Sequence, residues 1–243
     1  MKAAAPRYHQ SPARPLAKAA YVALFVLLGL IAVECVRLGA AGLFVQLAQS
    51  EVDRWSSPVR SPRAAEVRLA EKYFLDSLDY ASGNPWVFEG MGALDLSRMR
   101  ASTIPRDALA YTRGSRARFR QALQQRPTSA FLWANLALTK LYLDEIDGEL
   151  VTALRYADML GPYEMTVQET ALFVGLAAWH GLDAELRKAL VRSIERGAAR
   201  NGQKMFEISK SYGRFDLICA IKKYETIAGA ACKNAAAVAG SGG

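Results

Sequence analysis

The chain has 243 residues, 51% of them hydrophobic, and a formal net charge of +8. This length allows one globular unit, or one unit with a membrane anchor. Lys2, Arg7, Arg14 and Lys18 come first without an acidic residue, so the other 27 basic residues are balanced against all 23 acidic ones. The remainder is only mildly basic. That argues against a nucleic-acid binder, which concentrates basic residues on one face with aromatic platforms.

Residues 1–15 contain three prolines and no hydrophobic periodicity, which predicts a disordered, basic cytoplasmic tail. The next segment, "AAYVALFVLLGLIAVECV" over 19–36, is eighteen residues long with Glu34 as its one acidic residue. A helix of that length covers about 27 Å, close to the roughly 30 Å hydrocarbon core of a bilayer. We therefore predict a transmembrane helix and its continuation over 16–55, with the N-terminus cytoplasmic because the basic residues precede it.

Two other interpretations of this segment stay open at this stage. A cleaved signal peptide has an apolar region of about 7–15 residues and a small-residue exit, which "GAAG" over 39–42 would supply. The segment is long for such a region, and apolar character resumes after it. The third possibility is a buried helix of a soluble protein. Glu34 is interpreted as a carboxylate that reaches the interface beside Arg37, with an intramembrane functional acid as the alternative.

"SSPVRSP" over 56–62 predicts a linker. Apolar-periodic blocks bounded by Pro, Gly or capping residues follow, and each predicts an amphipathic helix. The predicted helices cover 63–82, 86–101, 106–126, 129–143, 147–160, 164–179, 183–199 and 212–227. Connections of two to six residues imply antiparallel neighbours. The fold class is therefore all-α, with a helical repeat domain over 63–199, a C-terminal helix over 200–233 and a disordered tail over 234–243.

The densest basic stretch lies within the predicted helix over 106–126. Arg113, Arg116 and Arg120 are three and four residues apart and so share one face of that helix. One interpretation is a binding site for an anion, such as an acidic glycan, a lipid phosphate or an acidic partner helix. The favoured alternative is a solvated face beside acidic neighbours. The acidic turn "LDEIDGE" over 143–149 is interpreted as a solvated loop, not a calcium loop.

A group of aromatic residues precedes this helix: Tyr73, Phe74, Tyr80, Trp86 and Phe88. Such side chains occur in sugar-binding clefts, but core packing explains them equally well and is favoured. We find no nucleophile elbow, phosphate-binding loop or zinc-protease motif. We therefore expect no enzymatic activity, no metal and no cofactor.

Cys219 and Cys232 lie near the C-terminus, thirteen residues apart. An extracytoplasmic domain permits disulfides, and a helix over 212–227 that turns at Gly229 would return Cys232 toward Cys219. We predict a disulfide between them, with two buried thiols as the alternative.

The spacing around the arginines resembles the tetratricopeptide repeat, a helix–turn–helix unit with small and large residues at fixed places and a proline after the second helix. The matching positions are Phe119, Ala122, Pro127, Trp133, Leu136 and Ala137. A weaker second copy follows at Leu150, Leu154, Ala157 and Pro162. Pro127 and Pro162 are 35 residues apart, one more than the period of the family.

The resemblance covers about 66–199 and implies stacked antiparallel helix pairs, an α-solenoid, that binds other proteins. The overall layout resembles single-pass accessory proteins of bacterial exopolysaccharide synthesis and export. It implies a scaffold in the inner membrane with a periplasmic helical domain, whose partners are envelope proteins and the lipid bilayer. A scaffold for secretion or cytochrome assembly, and an envelope enzyme with an unrecognised site, stay open as alternatives.

Overall fold

The computed structural model describes residues 13–55 and 63–224, together with Ile227, Gly229 and Cys232. The predicted linker over 56–62 and the predicted C-terminal tail lie outside these residues. So does the predicted N-terminal tail, except that residues 13–15 belong to the first helix. All secondary structure in the described part of the chain is helical. The α-helices are α1 (Ala13–Trp55), α2 (Ala64–Tyr80), α3 (Pro85–Ala101), α4 (Pro105–Gln125), α5 (Ala130–Tyr142), α6 (Gly148–Leu160), α7 (Met165–Ala177), α8 (Ala184–Ser211) and α9 (Phe215–Cys219).

Polar N-cap residues begin several of these helices. The side chains of Asn84, Ser129 and Asp183 each accept a hydrogen bond from a backbone N–H in the first turn. Such caps satisfy N–H groups that have no partner within the helix. Pro85 then occupies the first position of α3, where its missing N–H costs nothing. These signals are readable in the sequence, and the predicted bounds of α2 to α7 agree with the structure to within about two residues.

Helix α1 is 43 residues long and therefore about 64 Å. The most apolar 18-residue window within its segment Ala17–Val52 has a mean hydropathy of 2.4, so this part of α1 meets the length and composition of a membrane span. Side chains from Ala17 to Leu38 are exposed, whereas Ala41, Val45 and Ala48 are buried against the rest of the chain. The N-terminal part of α1 is thus an exposed apolar helix, and its C-terminal part belongs to the core of the domain.

The remaining helices pack beside one another along the chain. The most extensive contacts join α1 to α2, α3 to α4, α5 to α6, and α7 to α8, and α5 also contacts α7. The largest hydrophobic cluster takes residues from α3 to α8, including Phe119, Leu136 and Leu154. A second cluster joins α7 and α8 to the C-terminal segment. Phe173 and Trp179 pack against both of these clusters. Helix α1 contributes Val45 and Ala48 to a separate cluster with Phe74 and Met91.

The C-terminal prediction was wrong in detail. Helix α8 does not end at 199 but continues to Ser211, with a kink at Asn201, where φ is −140° and ψ is 26°. Over the described residues 212–224 the predicted single helix is interrupted: Gly213, with φ of +67°, ends α8, and α9 and a 3₁₀ turn at Lys222–Tyr224 follow, while Ile227, Gly229 and Cys232 are again helical. A left-handed glycine stops a helix because the chain must reverse there.

Candidate partner-binding surface

The three arginines predicted to bind an anion share one face of α4 but differ in their partners. Arg116 forms an ion pair with Glu145. Arg120 donates to both carboxylate oxygens of Glu149, from Nε at 2.8 Å and from Nη2 at 2.5 Å. Arg113 is exposed and has no ion pair to any described residue. Carboxylates of the same chain therefore neutralise two of the three guanidiniums, and an external anion would compete with them for Arg116 and Arg120.

Sequence reasoning missed the residue at the centre of this cluster, Lys140 of α5. Its side chain is only 2% exposed. Its ammonium lies 2.9 Å from Glu145, 2.9 Å from Asp147 and 2.8 Å from Glu149. We call the six side chains of Arg116, Arg120, Lys140, Glu145, Asp147 and Glu149 the α4–α6 charge cluster. Three cations meet three carboxylates, so a buried ammonium is fully compensated and ties three helices together.

The cluster shifts the titration of its members. Hydrogen bonds from Arg120 and then Lys140 lower the pKa of Glu149 from its ordinary 4.5 to about 2. Lys140 and Arg116 likewise lower the pKa of Glu145, and Lys140 lowers that of Asp147. Burial alone would lower the pKa of Lys140, but hydrogen bonds to the three carboxylates outweigh it and raise that pKa. The hydrogen bond to Glu149 also raises the pKa of Arg120, so Arg120, Lys140 and the three carboxylates are charged at neutral pH.

A tight turn brings the carboxylates onto Lys140. Asp144 takes a left-handed φ of 57°, so the N–H of Glu145 reaches the carbonyl of Lys140 at 2.9 Å. The N–H of Asp144 also donates to the carbonyl of Leu141 at 3.0 Å. This pair of hydrogen bonds ends many helices, although glycine usually holds the left-handed position. Asp147 then caps α6 by accepting from the backbone N–H groups of Glu149 and Leu150. The turn that the sequence indicated as a solvated loop is exposed at Asp144 and Asp147, and its carboxylates also cover the ammonium of Lys140.

A second set of charges lies between α2, α3 and α4. Asp95 is 4% exposed and lies 3.4 Å from Arg98 and 3.5 Å from Arg118. Burial raises the pKa of Asp95, and the two arginines offset this only in part. Arg98 also pairs with Glu71 at 2.5 Å. An open cavity of 380 Å³ lies beside these residues, with Arg68, Arg98 and Tyr111 among its walls.

The predicted aromatic group divides between core and surface. Phe74 and Phe88 are buried. Tyr80 stacks on Phe44 of α1, with ring centroids 5.7 Å apart. Trp86 is 47% exposed, and the guanidinium of Arg126 lies 3.5 Å from the centre of its ring. These side chains are spread over both faces of α2 and α3 and do not line one cleft.

The repeat positions taken from the sequence lie mostly in the core. Phe119, Ala122 and Ala137 are fully buried, and Leu136 is 1% exposed. Trp133 is only partly buried. Its indole N–H donates to the carbonyl of Pro127 at 2.7 Å, and its ring stacks on Tyr156. Pro127 itself is exposed in the turn after α4.

The end of α6, the turn after it and the start of α7 carry four exposed apolar side chains. Tyr156 and Met159 are three residues apart on α6 and therefore adjacent on its surface. Tyr163 and Met165 follow in the turn and at the start of α7. Their exposed fractions are 40%, 59%, 66% and 50%. We call these four residues the α6–α7 rim; the sequence analysis did not single them out.

The C-terminal segment closes the far end of the helices. The structure joins Cys219 to Cys232 in a disulfide, with Cα atoms 5.6 Å apart. Tyr224 is buried and donates its hydroxyl to the carbonyl of Ile194 at 3.0 Å. Burial raises the pKa of Tyr224 to about 12.

No cluster of three or more His, Cys, Asp or Glu side chains in the part of the chain that the structure describes is placed to hold a metal ion. The three carboxylates of the α4–α6 charge cluster are directed at Lys140. The surface of the described residues presents the guanidinium of Arg113, the cavity beside Arg98 and the apolar α6–α7 rim. Comparisons with protein-family models, with curated proteins and with solved structures found no match for this chain.

Proposed function

We propose that this chain is a single-pass membrane protein whose helical domain lies outside the cytoplasm and binds protein partners there. Helix α1 has the length and apolar character of a span. The four basic residues before it favour a cytoplasmic N-terminus. The disulfide between Cys219 and Cys232 fits an oxidising compartment such as the bacterial periplasm.

The architecture we propose for the domain is a tetratricopeptide-like array of antiparallel helix pairs. Two interactions whose members recur 34 or 35 residues apart along the chain support it. Arg120 pairs with Glu149 at the start of α6, and Arg155 pairs with Asp183 at the start of α8. In the same way, Trp133 donates to the carbonyl of Pro127, and Gln168 donates to that of Pro162. Equivalent contacts at equivalent positions are the mark of stacked repeats.

The observation that carries the binding function is the α6–α7 rim. Monomeric soluble domains rarely gather large exposed apolar side chains in one place unless a partner covers them. Tyrosine and methionine are enriched at protein interfaces, and tyrosine buries a large area there at a small cost in conformational entropy. The rim is also buttressed, because Tyr156 is stacked on Trp133 with ring centroids 4.8 Å apart.

The setting we propose is a bacterial exopolysaccharide synthesis or export system, in which the domain would act as an accessory scaffold in the inner membrane. This step depends on the resemblance of the layout. A scaffold for secretion or cytochrome assembly would use the same anchor and the same rim, and its partners would identify it. An envelope enzyme is the further alternative, and the cavity beside Arg98 is a candidate site for its substrate.

We expect the rim to be required for partner capture. A Met159→Ser/Tyr163→Ser double variant, extracted from native membranes in mild detergent, should lose the proteins that co-purify with the wild-type chain. The matched control is Ile104→Ser/Leu109→Ser, because these residues are also apolar and exposed but lie at the start of α4. Equal recovery of partners from both variants would contradict the proposal. The identity of the co-purifying proteins distinguishes an exopolysaccharide system from a secretion or cytochrome-assembly system.

Topology has its own test. A reporter that is active only outside the cytoplasm, fused after Gly243, should be active, whereas the same reporter fused before Met1 should be silent. The physical reason is that the basic residues before the span resist translocation. Activity at the N-terminal fusion alone would reverse the orientation and remove the periplasmic assignment.

A further inference from the structure

The distance between the membrane span and the folded domain is unusually short. The exposed apolar segment ends at Arg37, and Ala41 is the first residue of α1 that is buried by the domain. Four residues of helix amount to about 6 Å. The headgroup layer on each side of a bilayer is about 5–7 Å thick. The domain therefore begins within the headgroup layer and not at the end of a tether.

Two hydrogen bonds fix which part of the domain is closest to the span. The guanidinium of Arg37 donates to Glu34 at 2.7 Å and to the backbone carbonyl of Tyr80 at 3.1 Å. One turn further along α1, the hydroxyl of Ser77 donates to the carbonyl of Ala41 at 2.9 Å. The C-terminal end of α2, and the turn 81–84 that follows it, are thus held at the level where the apolar segment ends.

The packing of α3 along α1 gives the direction in which the domain extends. Val87 and Met91 pack in one cluster with Val45. Leu94 lies further along α3 and packs in a cluster that includes Val52. Helix α3 therefore starts beside the stretch of α1 around Val45, about 12 Å beyond Arg37, and runs beside α1 away from the span. With 17 residues it is about 25 Å long, so its far end lies well beyond the headgroups.

The side chains at this edge suit a membrane interface. Tyr80 is 39% exposed. Trp86, in the first turn of α3, carries over its ring the guanidinium of Arg126, which also pairs with Glu89 at 2.5 Å. Tyrosine and tryptophan with basic neighbours are enriched at headgroup level, where an apolar ring and a polar tip are both satisfied. We propose that the edge formed by Tyr80, the turn 81–84, Trp86 and Arg126 lies against the phospholipid headgroups of the bilayer that α1 spans. This inference depends on the membrane anchoring proposed above.

Thiol labelling in vesicles tests the edge with matched positions. Ser82 and Thr103 are both exposed residues in turns, one at each end of α3. The full-length chain would carry Ser82→Cys or Thr103→Cys in a Cys35→Ser background and be labelled with an environment-sensitive fluorophore. It would then be inserted into phosphatidylcholine–phosphatidylglycerol vesicles that contain a lipid spin label at headgroup depth. We expect several-fold stronger quenching of the label at position 82 than at position 103.

The native Cys35, which is exposed on α1, reports insertion of the span itself. If its label is quenched while positions 82 and 103 respond equally, the domain is not seated on the membrane and the inference is overturned, although the anchor stands. If the label at Cys35 is not quenched, the anchor has failed and the inference fails with it. Partner capture by the α6–α7 rim is measured separately, so neither result is confused with the other.

Discussion

We expect the Phe119→Ala variant to lose about 3–5 kcal/mol in free energy of unfolding, the range seen when a large aromatic side chain is removed from a packed core. Phe119 is fully buried and belongs to the largest hydrophobic cluster. Whole domains are stable by only about 5–15 kcal/mol. Urea unfolding of the full-length chain in detergent micelles, followed by far-ultraviolet circular dichroism, measures the loss.

The control is Arg113→Ala on the same helix, which should change the stability by less than about 0.5 kcal/mol because the side chain is exposed. Gly92 sharpens the test. A Cβ added there would lie 2.9 Å from the Phe119 ring, so Gly92→Ala should destabilise the wild-type chain but be tolerated beside Phe119→Ala. Additive effects of the two substitutions would show that the α3–α4 contact is not as described.

The second large effect is expected at Lys140. Lys140→Met preserves most of the side-chain volume but removes the ammonium, and we expect it to cost about 2–3 kcal/mol, because charged hydrogen bonds are lost and three carboxylates are left facing one another. Their partial exposure, about a third to a half, keeps the cost below that of a fully buried pair. The same unfolding measurement applies.

The pH dependence of this variant is a stricter test. The folded chain holds the pKa of Glu149 at about 2, below its ordinary 4.5. A lowered folded-state pKa contributes stability above the unfolded-state pKa, and that contribution is lost as pH falls. Without Lys140 the carboxylate pKa values rise, so less stability is lost on acidification. The difference between the wild-type chain and Lys140→Met should therefore shrink as the pH falls from 4.5 toward 2.

Asp147→Asn supplies the matched partner variant, because asparagine caps a helix as well as aspartate does and only the charge is removed. On its own it should be destabilising, since Lys140 loses one of its three carboxylates. Combined with Lys140→Met it should be stabilising, since it relieves repulsion. The same sign in both backgrounds would contradict a charge cluster centred on Lys140.

The sequence predicted the helices well where local signals decide. The prolines at 85 and 127 and the caps at Ser129 and Asp183 act through the adjacent backbone, so their effect is visible in a short window. The C-terminal region was predicted poorly because no proline interrupts α8, and its end depends on the left-handed Gly213. Asn201 and Gly202, residue types that often end a helix, produce a kink within α8 and do not end it.

The candidate site was harder to predict for a different reason. A single lysine in the apolar α5 segment "AFLWANLALTKLY" suggests an exposed end of a helix, and the acidic run after it suggests solvent. Their meeting depends on the left-handed backbone of Asp144, which sequence propensity does not favour. The α6–α7 rim was missed because its tyrosines and methionines have the spacing of an ordinary core face.

The shared helix α1 has a mechanical consequence. In the membrane-anchored arrangement proposed above, α1 crosses the bilayer up to Arg37 and forms part of the core from Ala41 onward, so the span and the domain tilt together. Spans tilt to match the thickness of their membrane. A tilt of α1 would displace the helices that are far from the span more than it displaces the span itself. Bilayer thickness would then set how far from the lipid surface the α6–α7 rim meets its partner.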